Sequence, residues 1–299
     1  MCLAIDVLPK HFVHLVLGPP KYGPDGSSEF ERLRHRWPRT WYCTVPPFGP
    51  NASTPFRSRR VDRVQQLADL LQSMTAIDLA PRLERGMPKF PAHPHLVIDP
   101  TVTHARNGYY CQTLSMAEHT GCHVDAPAHT VPSLMHVTVE TLAANQLFGP
   151  AVLYNFSERD WQPGQMLTAD DMLEYEKSHG VQAQAGDMPL ICFGWHRRYW
   201  GSPGFYERNE PGMDEKVTLL FAERGVRAVG SDTIGCEIPM VKGVSGESPG
   251  HRRHWLPNGI LIVECLAQLE KLPLRSFLIA SPLPIQNGSG SPLRPIAYF

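Results

Sequence analysis

The sequence contains no CxxC pair and no run of about 18 apolar residues, the length that a membrane-spanning helix needs. The second absence excludes a helical membrane protein. The first argues against a zinc ribbon or a thioredoxin-type redox motif. The seven cysteines (Cys2, Cys43, Cys111, Cys122, Cys192, Cys236 and Cys265) are odd in number and scattered. That pattern fits free thiols in a reducing compartment. Net charge is almost absent: 28 Lys and Arg face 29 Asp and Glu, with an isoelectric point near 6.9. This balance excludes charge-driven disorder and argues against wholesale nucleic-acid binding. The N-terminal stretch is broken by Asp6, Lys10 and His14, which a secretory signal would not tolerate. A cytoplasmic protein is expected, with neither a membrane nor a nucleic acid as partner.

Turn formers are abundant. The 24 Gly and 29 Pro make up about 18% of 299 residues against an average near 12%, which disfavours a helical bundle. Residues 1–60 differ from the rest, being rich in Pro, Arg and aromatics; residues 1–74 hold ten basic against six acidic side chains. They read as an N-terminal extension, lying on the main domain or on a partner subunit, or else as a basic docking surface. Trp37, Trp41, Tyr42 and Phe48 could act as lid residues or simply pack. The main domain is expected over 61–299. It opens with an amphipathic helix from Val61 to Met74, whose Val61, Val64, Leu67, Leu70 and Leu71 recur at helical spacing.

Short strands follow, expected at Ala76–Leu79, Val152–Phe156, Leu190–Phe193, Val226–Val229 and Ile260–Val263. Thr168 is placed to cap one helix. Asp214 is placed to cap another, which Gly225 stops. Strands alternating with a few helices predict an α/β or α+β domain.

One segment concentrates the chemistry: His119-Thr-Gly-Cys-His123-Val-Asp125-Ala-Pro-Ala-His129, flanked by Glu118 and His136. The chain has only 14 histidines, so this density is not a product of composition. Imidazole and carboxylate together suit a borderline divalent ion such as Zn²⁺ or Mn²⁺. On an extended backbone His123 and Asp125 face the same way. Gly121 permits a bend that returns His119 toward them. Pro127 ends the extended piece, leaving His129 nearby and free for proton transfer. Histidines satisfied by backbone carbonyls around a polar turn are the competing reading.

The segment resembles the H-x-G-T-H-x-D-x-P-x-H signature of the cyclase-like metal-dependent hydrolases, a family that includes bacterial kynurenine formamidase and isatin hydrolase. Weaker collinear matches support it: Ile77-Asp78-Leu79 with Gly86-Met87-Pro88, Phe193-Gly194-Trp195, Pro211-Gly212-Met213, Ala222 to Thr233, Ile262-Val263-Glu264, and Gly288 to Arg294. The resemblance implies a compact α/β domain with a mixed, barrel-like sheet and flanking helices, usually as a homodimer. It implies a metal held by His119, His123 and Asp125, with His129 as acid/base catalyst. A second ion would share Asp125 and be held by Glu264 and a histidine upstream. That histidine's place falls on Arg252, so a single ion is expected unless a one-residue slip brings His251 into the site. Cys122 stands where the family has Thr and reads as a buried thiol. Gly235-Cys236-Glu237 also departs from the family's Ser and Asp, which predicts altered substrate contacts.

The implied activity is hydrolysis of a non-peptide C–N bond or lactone in a small carbonyl substrate, of aryl formamide or cyclic amide type. A metal-bound water would be the nucleophile, with His129 moving the proton. The alternative is a metal-dependent cyclase, dehydratase or isomerase acting on a secondary-metabolite intermediate.

Overall fold

The computed structural model describes residues 55–299; the extension expected over 1–60, with its aromatic lid candidates, lies almost wholly outside the described residues. Helix α1 (Pro55–Ser73) forms where a helix is expected but begins earlier. Its apolar stripe does not enter a core: Val64, Leu67 and Leu70 are 70%, 57% and 57% exposed.

The domain is built on one curled mixed sheet of nine strands. In chain order these are β1 (Ala76–Asp78), β2 (His123–Asp125), β3 (Leu147–Asn155), β4 (Met188–Cys192), β5 (Ala228–Ser231), β6 (Leu261–Glu264), β7 (Arg275–Ala280), β8 (Gly290–Pro292) and β9 (Ile296–Tyr298). Their spatial order is β1-β9-β7-β3-β4-β5-β6-β2-β8. The contiguous strands β3 to β6 are parallel, and every other pairing is antiparallel. The parallel centre explains the apolar runs Met188–Cys192 in β4 and Leu261–Val263 in β6, since a parallel sheet is covered on both faces.

Alternation along the strands divides the core in two. Val152, Tyr154, Ile191, Val229 and Ile262 enter one cluster. Helices α2 (Ala169–His179) and α3 (Glu215–Arg224) cover that side through Met172, Tyr175, Val217 and Phe221. Val124, Leu153, Leu190, Leu261 and Val263 enter the other.

Local signals set the helix ends. Thr168 and Asp171 form a reciprocal capping box on α2. The Asp214 side chain accepts from Val217 N, and Gly225 closes α3 at φ 67°. That closure also moves the next strand. Val226 N–H still bonds to Phe221 O, so β5 starts at Ala228 and not at Val226 as expected.

Candidate active site

Strand register assembles the site. In the β6/β2 pairing Glu264 lies opposite His123, Val263 opposite Val124, and Ile262 opposite Asp125. Val124 and Val263 share one core, so His123, Asp125 and Glu264 all project to the other face. On the far side of β2, Gly290 of β8 lies opposite Asp125. A Cβ at Gly290 would come within 2.4 Å of the His119 ring, so the missing side chain makes room for that imidazole. The turn that brings His119 back passes through Gly121 at φ 68°.

Each imidazole is fixed by a specific partner. His119 Nδ1 lies 2.6 Å from Asp125 Oδ1, and its Nε2 lies 2.9 Å from Ser289 Oγ. Ser289 in turn donates through both its hydroxyl and its backbone N–H to Glu118 Oε1. His123 Nδ1 is 2.8 Å from Gly121 O. A carbonyl only accepts, so Nδ1 carries the proton there and Nε2 turns toward the carboxylates. That Nε2 stands 3.2 Å from Glu264 Oε2 and 3.4 Å from Asp125 Oδ1.

His251 reaches the same point from a distant segment. Its Nε2 is 3.2 Å from Asp125 Oδ2 and 3.5 Å from Glu264 Oε1. Residues Gly250–His254 form a π-helical turn, with Trp255 N–H donating to Gly250 O at 2.8 Å. A π turn takes up one more residue than an α turn. Here it sets His251 inward and leaves Arg252 exposed, its Nε donating to Ser248 Oγ. The imidazole of His251, and not the guanidinium of Arg252, therefore stands beside Asp125 and Glu264. Packing explains the turn: a Cβ on Gly250 would meet the Trp255 ring at 2.4 Å.

His129 sits in a short 3₁₀ turn opened by Pro127. Its Nε2 is 3.8 Å from Asp125 Oδ2, and its side chain keeps 28% exposure, far more than the 7%, 3% and 4% of His119, His123 and His251. It is the imidazole of this group most open to solvent.

The electrostatics follow from burial against pairing. Burial lowers the pKa of His129, outweighing the attraction of Asp125. Burial also opposes charge on His123, but its bond to Glu264 and the charges of Asp125 and Glu264 lift it to about 9. Burial would raise the Asp125 carboxyl, yet the imidazoles around it, His119 foremost, hold it well below the usual carboxylate range. Cys122 points into the opposite core, where burial pushes its thiol up.

These donors can hold a divalent cation. Two groups have ligand atoms within 4.8 Å of one another: His119, Asp125 and His129; and His123, Asp125 and Glu264. Asp125 is common to both. The grouping differs from the expected His119–His123–Asp125 set in that His119 and His123 fall into different groups, each with Asp125. Glu264 Oε1 is buried and has no hydrogen-bond partner. An orphaned carboxylate oxygen among imidazole nitrogens suits a cation bound by N and O donors.

The cluster forms the floor of a cavity of about 430 Å³, walled by Phe90, Ile234 and Ile238, with Arg252 and Arg253 also lining it. That volume falls in the range of small-molecule sites. His93, which lies outside the histidine-rich segment, lines the same cavity, its ring 5.8 Å from that of His119. Glu118 flanks the histidine segment, and Ser289 lies far from it in the chain. The spacing of the chain gave no signal for His93 or Ser289. Among residues 235–237, Gly235 lines the cavity, whereas Glu237 is buried behind it.

Comparison with known proteins gives the family and the fold. Residues 77–238 match the family model described as "Putative cyclase". The isatin hydrolase of Roseibium aggregatum is 29% identical over 191 residues, covering 61% of this chain and 72% of its own. The kynurenine formamidase of Geobacillus thermodenitrificans is 28% identical over 221 residues, covering 73% and 94%. The structure of isatin hydrolase A from Labrenzia aggregata, bound to benzyl benzoate, superimposes with a TM-score of 0.69 at 26% identity, covering 79% of this chain and 98% of that one.

Proposed function

This chain belongs to the cyclase family, and on that premise we propose that it is a metal-dependent hydrolase of a C–N bond or lactone in a small carbonyl substrate, of aryl formamide or cyclic amide type. The observation that carries the reading is the convergence of four imidazoles and Glu264 on one cavity, around the buried carboxylate of Asp125. The names of the two curated relatives, a formamidase and an isatin hydrolase, suggest the substrate class.

In this reading His119, His123 and Asp125 hold Zn²⁺ or Mn²⁺, and Glu264 and His251 complete a second site that shares Asp125. The ion, when bound, supplies Lewis acidity and makes water acidic enough to react near neutral pH. His129 is the acid/base. Its imidazole is uncharged at neutral pH because burial lowers its pKa, and it opens to the cavity. It accepts a proton from the attacking water and returns it to the leaving nitrogen or oxygen. Phe90, Ile234 and Ile238 exclude water from one side of the substrate.

The homodimer and the N-terminal extension over 1–60 belong to the same proposal. The exposed apolar stripe of α1 supports the former. The test of function is turnover of aryl formamides, cyclic amides and lactones in ¹⁸O-labelled water. The expected result is one label in the product acid. Turnover without label would instead favour the isomerase or cyclase reading.

A further inference from the structure

We infer that Glu237 is a positioning residue that fixes the tautomer and orientation of His251 for metal binding, an inference that rests on the metal-site reading above. Glu237 is completely buried and lies outside the cavity. Its Oε1 accepts from the backbone N–H of His251 at 2.9 Å and stands 2.9 Å from the ring Nδ1; its Oε2 stands 3.0 Å from the same nitrogen. A carboxylate accepts, so Nδ1 carries the proton and donates it. With the Nδ1 proton held by Glu237, Nε2, which faces Asp125 Oδ2 and Glu264 Oε1, is the nitrogen whose proton a bound cation would displace to take the lone pair.

The backbone holds Glu237 for this task. Cys236, immediately before it, adopts a left-handed φ of 53°, which few residues other than glycine take without cause. Met213 N–H donates to Glu237 O at 2.9 Å. Gly212 packs so closely that a Cβ there would meet the same carbonyl oxygen at 2.5 Å. The loop ahead of it is fastened too, with Ile234 and Gly235 N–H donating to Glu210 Oε2. Two segments distant in sequence are therefore pinned around one carboxylate, and both carboxylate oxygens are committed to His251. No lysine or arginine among the described residues pairs with Glu237. A carboxylate behind a ligating imidazole orients the ring and raises its basicity, and its removal typically weakens metal binding.

Of the three residues 235–237 only Gly235 lines the cavity, and Glu237 faces His251. It also complements the π turn: the turn delivers His251 to the site, and Glu237 decides which nitrogen it presents.

The experiment is titration of the metal-free full-length chain with Zn²⁺ and with Mn²⁺ by calorimetry, for wild type, Glu237→Ala and Glu237→Gln. Glu237→Ala is expected to bind at one site about 10- to 100-fold more weakly. Glu237→Gln keeps an acceptor oxygen and is expected to recover most of that loss. In parallel, ¹⁵N spectra of the histidine-labelled Zn²⁺ form of the wild type are expected to show the proton of His251 on Nδ1. That second measurement stands even if the alanine variant fails to fold. Wild-type affinity in Glu237→Ala, or a proton on Nε2, would overturn the inference while leaving the metal site intact. Equal losses in both variants together with lowered metal-free thermal stability would make Glu237 a merely structural group and also overturn it. A wild type that binds neither ion would instead bring down the metal-site reading itself.

Discussion

The absence of one Cβ controls the position of His119. In Gly290→Ala the new methyl would lie 2.4 Å from His119 Cε1, 2.7 Å from Nδ1 and 2.9 Å from Nε2. Ordinary contact begins near 3.4 Å, so the ring must withdraw by about 1 Å. A shift of that size disturbs the 2.6 Å contact between its Nδ1 and Asp125 Oδ1 and, where the ring moves away from Asp125, carries Nδ1 beyond hydrogen-bonding distance. The backbone itself raises no objection, because Gly290 is a strand residue without a left-handed φ. Overpacking costs about 1–3 kcal/mol. Loss of glycine's freedom in the unfolded chain offsets about 0.4–1 kcal/mol of that. The fold should therefore survive, with a net loss of at most about 2.6 kcal/mol. A displacement of 1 Å at a reacting centre costs about 10²-fold in rate. Metal content by elemental analysis, turnover, and urea denaturation measure the three effects separately. Gly201→Ala is the control, since a Cβ there meets nothing within 4 Å and the backbone is again permissive. Wild-type metal content and turnover in Gly290→Ala would refute the assignment of His119 to the site.

Two further outcomes are expected. His129→Ala should keep its metal and lose roughly 10²–10⁴-fold in turnover. In the wild type the acid limb of the pH profile should lie below the ordinary imidazole value of 6.5, because burial lowers the His129 pKa and protonation disables the base only as pH falls through that lowered value; this limb should vanish in the variant, and a limb at or above 6.5 would contradict the assignment. Far from the site, Arg224 Nη2 donates to Glu176 Oε2 at 2.9 Å and the Tyr154 hydroxyl donates to Oε1 at 2.6 Å. Arg224→Met leaves that carboxylate buried without its cation, and urea denaturation should show a loss of about 3 kcal/mol without a change in metal content.

Several features of this protein were legible in the chain alone, and they share one property: their causes lie within a few residues. The 119–129 segment could be read as a site because His123 and Asp125, two apart on an extended strand, must share a face, and because Gly121 permits the return of His119. Thr168, Asp214 and Gly225 set helix ends through hydrogen bonds to their own neighbours. The capping and turn chemistry of α3 is local too, yet β5 starts two residues later than its apolar run, because the closing bond from Val226 N–H competes with strand formation.

What the tertiary structure alone decided depends on pairings across long stretches of chain. Helix α1 has the right spacing for an apolar face, but whether that face meets a core depends on what packs against it, and here it stays exposed. Glu264 comes beside His123 only through the register of β6 on β2, and Gly290 comes beneath His119 only through β8. A one-residue change in either register would turn those side chains to the opposite face. His251 and Arg252 are adjacent and both basic; the π turn, held by the packing of Trp255 on Gly250, chose the imidazole for the interior. The sequence determined which chemical groups were available, because composition and short spacing are local. The fold determined which of them meet, because burial, register and the direction of a side chain are properties of the assembled sheet.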